Sequence, residues 1–133
     1  MIVVDTNVIA YLLLPGKLTH KAKASLYKDP DWVAPILWRS EFRNVLAIYL
    51  RKNHLSLNQT IELMHEAEIL MKGGEFEIPS SQVLDLVDNS KCSAYDCEFI
   101  ALARELGVPL LTSDKLILSE FADIAISLDD FKS

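Results

Sequence analysis

The sequence predicts an α/β fold, a three-layer α/β/α domain with a mainly parallel central sheet. Three observations carry that expectation. The chain opens on "MIVVDTNVIAYLL", in which the uninterrupted, β-branched Ile2, Val3 and Val4 read as a strand covered on both faces, while Val8 to Leu13 read as a short helix. The stretch "SAYDCEFIALARELGVPLLTSD", residues 93–114, supplies a helix that leads into a second apolar strand, again ending in an acid. Elsewhere helical periodicity alternates with short apolar runs, the pattern of strands joined by crossover helices.

Each element has a local reason. Leu18, Ala22 and Leu26 place a helix near residues 19–28, and "DWVAPI" gives an extended segment ending at Pro35. From Leu37 to Lys52 the apolar positions Phe42, Val45, Leu46, Tyr49 and Leu50 are dense enough for a helix buried on more than one side, stopping near Asn53. "SLNQ" at 56–59 has the form of a capping box, and Leu57, Ile61, Met64, Ala67 and Met71 follow at helical spacing until Gly73 and Gly74. "EFEIP" makes one short strand, and Ser80 or Ser81 is the expected cap of the helix carrying Val83, Leu84, Leu86 and Val87. A helix over 94–106 ends at Gly107, and a strand runs from Val108 to Leu111 with Pro109 at its first position or on its outer side. A short helix over 115–119 and a last strand in "IAIS", 124–127, complete the pattern.

Composition bounds the function classes. A chain of 133 residues makes a single domain, 1–133, able to bury roughly two thirds of its unfolded surface without staples. The 50% hydrophobic content is split into short runs, none near the roughly 18 apolar residues of a spanning helix, so no membrane segment is expected. The first apolar stretch lacks a basic region ahead of it, carries Asp5 and soon meets Pro15 and Gly16, so no signal peptide is expected and the protein should be cytoplasmic. Cys92 and Cys97 lack zinc-ribbon spacing and read as buried or half-buried thiols; with His20, His54 and His65 scattered, zinc chemistry is disfavoured. A net charge of −6 and a pI near 5.0 argue against a sequence-blind DNA coater. Two local basic stretches stand out against that charge: "KLTHKAKASLYK", with Lys17, Lys21 and Lys23, and the run containing Arg39, Arg43, Arg51 and Lys52. Each is either a solvated helix face or a phosphate contact.

The acids are the informative residues. Asp5 and Asp114 both end apolar strands, and in a parallel sheet both carboxylates emerge at the same edge, where open α/β folds hold ligands. Asp96 precedes Phe99, Ile100 and Ala103 by three, four and seven residues, so it shares the helix face that must pack on the sheet. Glu41 lies near the start of the long helix, next to Phe42, where spacing alone does not assign its face. Structural readings stand beside each: Asp5 or Asn7 as a helix cap, Asp114 as the cap of the following short helix, Asp96 in a first turn capped by Ser93, and Glu41 paired with Arg39 or Arg43. Jointly, converging carboxylates repel and raise one another's pKa, which makes sense with a strong cation between them. Oxygen donors without imidazole or thiolate suit Mg²⁺ or Mn²⁺.

With these residues in view, the chain resembles the PIN-domain ribonucleases, and among them the small VapC-type toxins of toxin–antitoxin pairs. The matching pieces are "VDTNVIAYLL", "SEFRNVL" at 40–46, "YDCEFIALARELGVPLLTSD" at 95–114, and the small strand before a short C-terminal tail, so the resemblance spans the chain. It implies that Asp5, Glu41, Asp96 and Asp114 are catalytic, metal-binding acids, and that Thr6, Asn7, Thr112 and Ser113 are polar supporters that orient carboxylates or water. It also implies a homodimer and a cognate antitoxin that occludes the site. The expected activity is metal-dependent endoribonucleolytic hydrolysis of RNA, with one ion or two, and Lys17, Lys21, Lys23, Arg39 and Arg43 are the candidate RNA contacts.

Other classes fit less well. A haloacid-dehalogenase-type phosphatase needs a second Asp two positions after the first, where this chain has Asn7, and a response-regulator receiver lacks its acid pair. A PIN-like protein-binding module without catalysis, or a housekeeping RNA-processing nuclease of the same fold, would share the pattern.

Overall fold

A computed structural model describes residues 1–132 of the chain. In order, the elements are β1 (Ile2–Val4), α1 (Thr6–Leu13), α2 (Thr19–Lys28), β2 (Trp32–Pro35), α3 (Trp38–Arg51), α4 (Leu57–Leu70), β3 (Glu75–Phe76), α5 (Ser80–Asp88), α6 (Ala94–Leu106), β4 (Leu110–Leu111), α7 (Lys115–Glu120), β5 (Ala125–Ile126) and α8 (Leu128–Lys132). The five strands form one sheet in the order β3-β2-β1-β4-β5, and every pairing is parallel. The expected three-layer α/β architecture is present, with a wholly parallel sheet.

The strand order explains where a ligand fits. The chain builds outward from β1 through β2 to β3, then returns to lay β4 on the other side of β1 and continues outward to β5. Helices that follow strands laid in opposite directions fall on opposite faces of a parallel sheet, because each crossover is right-handed. α6, backed by α5, packs on β1, β2 and β4, while α1 packs on α2 and α3, and α3 on α4. Between β1 and β4 the connections diverge, and the crevice at the carboxyl ends of those two strands is the topological switch point.

The core follows from the sequence pattern. Ile2, Val3 and Val4 are fully buried, as a central strand covered on both faces must be. Trp38, Phe42 and Leu46, one turn apart on α3, fill one side of the core, and Phe99, Ile100 and Ala103 of α6 fill the other. Arg39 fastens α3 to the sheet edge: its Nε donates to Glu75 Oε2 at 2.6 Å and its terminal nitrogens reach Glu75 and Glu68. The indole N–H of Trp38 donates to the same Glu75 at 2.8 Å. These bonds anchor β3, an edge strand of two residues with little ladder of its own.

Several local expectations hold. Ser56 and Gln59 make the capping box of α4, Ser93 caps α6 by accepting from Asp96 N–H, and Gly107 ends α6 with φ of 66°, in the left-handed region that favours glycine. Others are corrected. α1 begins at Thr6, two residues earlier than the apolar run marks, because Asp5 is extended and the helix starts directly after it. α5 is not capped by Ser80 or Ser81; Pro79 occupies the cap position in extended geometry and no side chain bonds the first turn. Val108 and Pro109 lie ahead of β4, although the Pro109 carbonyl still accepts from Val3 N–H at 3.1 Å. The segment after the last strand forms a short helix, α8, that packs on α2. Cys92 and Cys97 are buried free thiols, and burial pushes Cys92 up to about 11. Among the described residues no helix is long and apolar enough to cross a membrane.

Gly74 has a steric role. Its carbonyl accepts from Ala34 N–H at 2.8 Å, and a Cβ there would come within 2.5 Å of the Trp32 carbonyl oxygen. Gly74→Ala is therefore expected to push β3 from β2 and destabilise the chain by about 1–3 kcal/mol, read as a lower urea midpoint at unchanged m-value.

Candidate active site

Parallel pairing delivers the acids. Val3 and Val4 of β1 lie beside Leu110 and Leu111 of β4, so the residues that follow, Asp5 on one strand and Thr112 to Asp114 on the other, emerge side by side at the switch point. Asp5 N–H donates to the Leu111 carbonyl at 3.0 Å, which continues the ladder up to the acid itself. α3 brings in Glu41 from its first turn, and α6 brings in Asp96 from its own. All four acids line one cleft of about 520 Å³, together with Asn7, Ser40, Asn44 and Tyr95.

Two threonines hold this arrangement. Thr112 Oγ1 donates to Asp5 Oδ2 at 2.8 Å and accepts from Asp114 N–H at 3.0 Å, so one buried hydroxyl bridges the two strand-end acids. Thr6 Oγ1 donates to Glu41 Oε1 at 2.7 Å and ties the start of α1 to the start of α3. Ser113 bonds the Tyr11 hydroxyl at 2.7 Å and touches no carboxylate, and Asn7 is exposed on the cleft wall.

The cap readings resolve differently for each acid. Asp114 is a helix cap, its Oδ1 accepting from Leu116 and Ile117 N–H at 2.9 and 3.0 Å. Asp5 occupies the cap position of α1 but makes no side-chain cap bond into the helix, so its burial is not explained by capping. Asp96 lies in the first turn of α6, and it is Ser93 that does the capping. Glu41 pairs with Thr6, not with Arg39, whose guanidinium is committed to Glu75 and Glu68.

Electrostatics make this cleft unusual. Asp5 is 9% exposed, and its carboxyl is pushed up to about 6, first by burial and then by the charges of Asp96 and Glu41, against the opposing Thr112 bond. Burial also raises Glu41, with Asp96 adding to it, and raises Asp96, with Asp114 adding to it. Glu98, one turn into α6 and half-buried, is raised by burial and by Glu41. Among the described residues no three carboxylate, imidazole or thiolate groups close on a single point; the acids stand on the walls of the cleft. The donor chemistry nevertheless fits a hard divalent cation: oxygen ligands, mutually repelling and partly withdrawn from water.

The candidate phosphate contacts scatter. Lys21 is paired with Asp129 at 2.8 Å, Lys23 and Arg43 are exposed away from the acid cleft, and only Lys17 borders a depression adjoining it. Arg39, expected at a phosphate, is instead used to pin the sheet edge. Sequence reading did not single out Ser40, Asn44 or Tyr95 as cleft residues. Asn44 was detectable in principle, three residues after Glu41 and so on the same helix face.

Comparisons with known proteins agree with the fold. A family profile for the PIN domain matches residues 2–124. A search of curated proteins returns no match. Among solved structures, PAE2754 from Pyrobaculum aerophilum superposes with a TM-score of 0.78 at 17% identity, covering 98% of this chain and 92% of that one. FitAcB from Neisseria gonorrhoeae gives 0.70 at 22% identity, with 96% of each chain covered. A toxin-antitoxin complex from Klebsiella pneumoniae gives 0.65 at 18% identity, covering 96% of this chain and 98% of that one.

The raised Asp5 carboxyl makes a pH prediction. Between the ordinary value of 3.8 and about 6, the folded chain keeps a proton that the unfolded chain has lost, so stability falls as pH rises through this window. Asp5→Asn, which still accepts the Thr112 bond, is expected to melt higher than the parent chain above about pH 6 in chelator, with the gap closing toward about pH 4. Thermal melts across that range check it, and a gap that widened on acidification would contradict the assignment.

Proposed function

The chain belongs to the PIN-domain family, and from that premise we propose that it is a Mg²⁺- or Mn²⁺-dependent endoribonuclease, the VapC-type toxin of a toxin–antitoxin pair acting in the cytoplasm. The PIN fold is a nuclease fold. The observation that carries the finer reading is the convergence of Asp5, Glu41, Asp96 and Asp114 on one cleft at the switch point, with three of the four held above their ordinary pKa. Such a set costs stability in the metal-free chain and is explained by a cation that relieves the repulsion.

In this reading the four carboxylates hold the ion, which when bound supplies an acidified water and neutralises charge on the phosphodiester during in-line displacement. The chain's own residues do the positioning. Thr112 fixes the rotamer of Asp5 and, through the Asp114 amide, the distance between the two strand ends. Thr6 fixes Glu41 in the same way. Asp114 leaves one carboxylate oxygen for a ligand, since the N–H groups of α7 occupy the other. Asn7, Ser40 and Asn44 offer neutral polar groups on the cleft wall to the phosphate and ribose. Among the described residues no histidine lines the cleft, and proton removal from water is assigned to the carboxylates. Hydrolysis by water leaves a 5′-phosphate and a 3′-hydroxyl.

A cognate antitoxin and a homodimer complete the proposal. The antitoxin is supported by the likeness to the Klebsiella pneumoniae chain from a toxin-antitoxin complex. Exposed apolar side chains on α3 and α4, Ile48, Leu57, Ile61 and Ile69, all more than two fifths exposed, offer such partners apolar surface to cover.

Cleavage of RNA by the purified chain is expected to require Mg²⁺ or Mn²⁺ and to stop in excess EDTA; cleavage undiminished in chelator would refute the mechanism. Asp5→Asn and Asp96→Asn should fall to background while remaining folded. Thr112→Val and Thr6→Val should lose about 10–100-fold in activity or metal affinity, the usual cost of removing a group that orients a ligand. Gel assays and metal titrations by calorimetry measure both.

A further inference from the structure

Along α3 one stripe changes chemistry. Glu41, Asn44, Val45, Tyr49 and Lys52 recur at spacings of one to four residues along a flank that adjoins the buried Trp38, Phe42 and Leu46. Its first turn faces the acid cleft, its last turn carries Tyr49, and Lys52 follows as the C-cap residue. From Glu41 to Tyr49 the helix advances about 12 Å.

The surface beside that stripe is continuous. The acid cleft shares Asn7 and Val45 with a depression of about 330 Å³ that is also bordered by Tyr11, Lys17 and Tyr49. This in turn shares Leu14, Pro15 and Tyr49 with a third, of about 460 Å³, bordered by Lys52 and His54. Among the described residues no carboxylate lines either of the two outer depressions, in a chain whose net charge is −6. Among the described residues neither Lys17 nor Lys52 is ion-paired.

Tyr49 is held as a platform. Asn53, at φ of 59°, turns the chain back after α3, so that His54 N–H donates to the Tyr49 carbonyl at 3.0 Å. The imidazole then meets the phenol ring edge-on, with centroids 6.2 Å apart and planes at 67°. Tyr49 is about a third exposed at the junction of the two outer depressions.

We propose that this groove seats the unpaired RNA segment flanking the scissile bond, with a base stacked on Tyr49 and backbone phosphates against Lys17 and Lys52. The identity of the occupant rests on the reading of the acid cleft as an RNA phosphodiester site. Charge favours RNA over a peptide: a groove with free lysines, an aromatic platform and no carboxylate complements a polyanion carrying flat bases. It also divides the labour along the groove, the acids at its inner end holding a cation near the reacting phosphate and Lys17 and Lys52 meeting phosphates further out.

The test reads binding and cleavage separately. Fluorescence anisotropy of a labelled oligouridine of about 12 nucleotides, in EDTA, gives affinity without turnover. Tyr49→Ala is expected to weaken binding about tenfold and Tyr49→Phe to retain it, since stacking needs the ring and not the hydroxyl. A Lys17→Ala, Lys52→Ala double variant should flatten the slope of log affinity against log salt by about 1.4, at about 0.7 for each lost single-strand contact. Thermal melts confirm that each variant is folded. Affinity and slope unchanged in these variants, or no affinity in the parent chain, would overturn the groove assignment even if the chain cleaves RNA; the groove would then belong to a peptide partner. If the variants weaken binding as expected while the parent chain fails to cleave any RNA with Mg²⁺, the groove stands and the catalytic reading falls.

Discussion

The parallel pairing of Ile2–Val4 with a strand on each side is the constraint on which the rest depends. A strand with no exposed side chain needs helices on both faces, and parallel neighbours can be reached only through crossovers long enough to contain those helices. Because β4 returns beside β1, the crossovers diverge there and leave a crevice that packing does not fill. The same register sets Asp5 level with the residues after Leu111, so the site is a consequence of how the sheet is ordered.

Placing a carboxylate at the end of the most buried strand has an energetic cost that the structure only partly offsets. Thr112 gives Asp5 one hydrogen bond, but burial and the neighbouring acids outweigh it and the carboxyl is held near 6. Glu41 has its own hydroxyl partner in Thr6 and is still raised. Asp114 is anchored by the N–H groups of Leu116 and Ile117 at the start of α7. Hydroxyls suit this role, because a Thr side chain orients a carboxylate without neutralising it, as an arginine would.

That choice is visible in how the chain uses its cations. Arg39, two residues from Glu41, is turned away from the acids and saturated by Glu75 and Glu68, where it secures a two-residue edge strand. Lys21 is paired with Asp129, which helps hold α2 to the C-terminal helix. Lys17 and Lys52, by contrast, have no ion-pair partner among the described residues and stand beside the groove that leads from the cleft. Arg39 and Lys21 thus serve the periphery, and no lysine or arginine lines the acid cleft among the described residues.

The sequence by itself determined the α/β class and the order of nearly every element, and it marked Asp5, Asp96 and Asp114 as acids at informative places, because hydrophobic period, caps and strand-end carboxylates are local signals; the face of Glu41 was not assigned by spacing. Ser93, Gly107 and the Ser56–Gln59 box announced helix ends through their own backbone chemistry. What lay outside local reach needed partners distant in the chain. Pro79 displaced Ser80 and Ser81 as the cap of α5, and the second apolar strand shrank to Leu110–Leu111 because strand length is set by the neighbour it pairs with. Only the tertiary structure decided that Arg39 serves the sheet edge and not a phosphate, since Glu68 and Glu75 reach it across about 30 residues or more of chain. It alone could set Thr112, 107 positions away, on Asp5, and bring Lys17 and Lys52 to one groove, because hydrogen bonds and surface charge depend on proximity in space, which spacing along a single helix or strand does not encode.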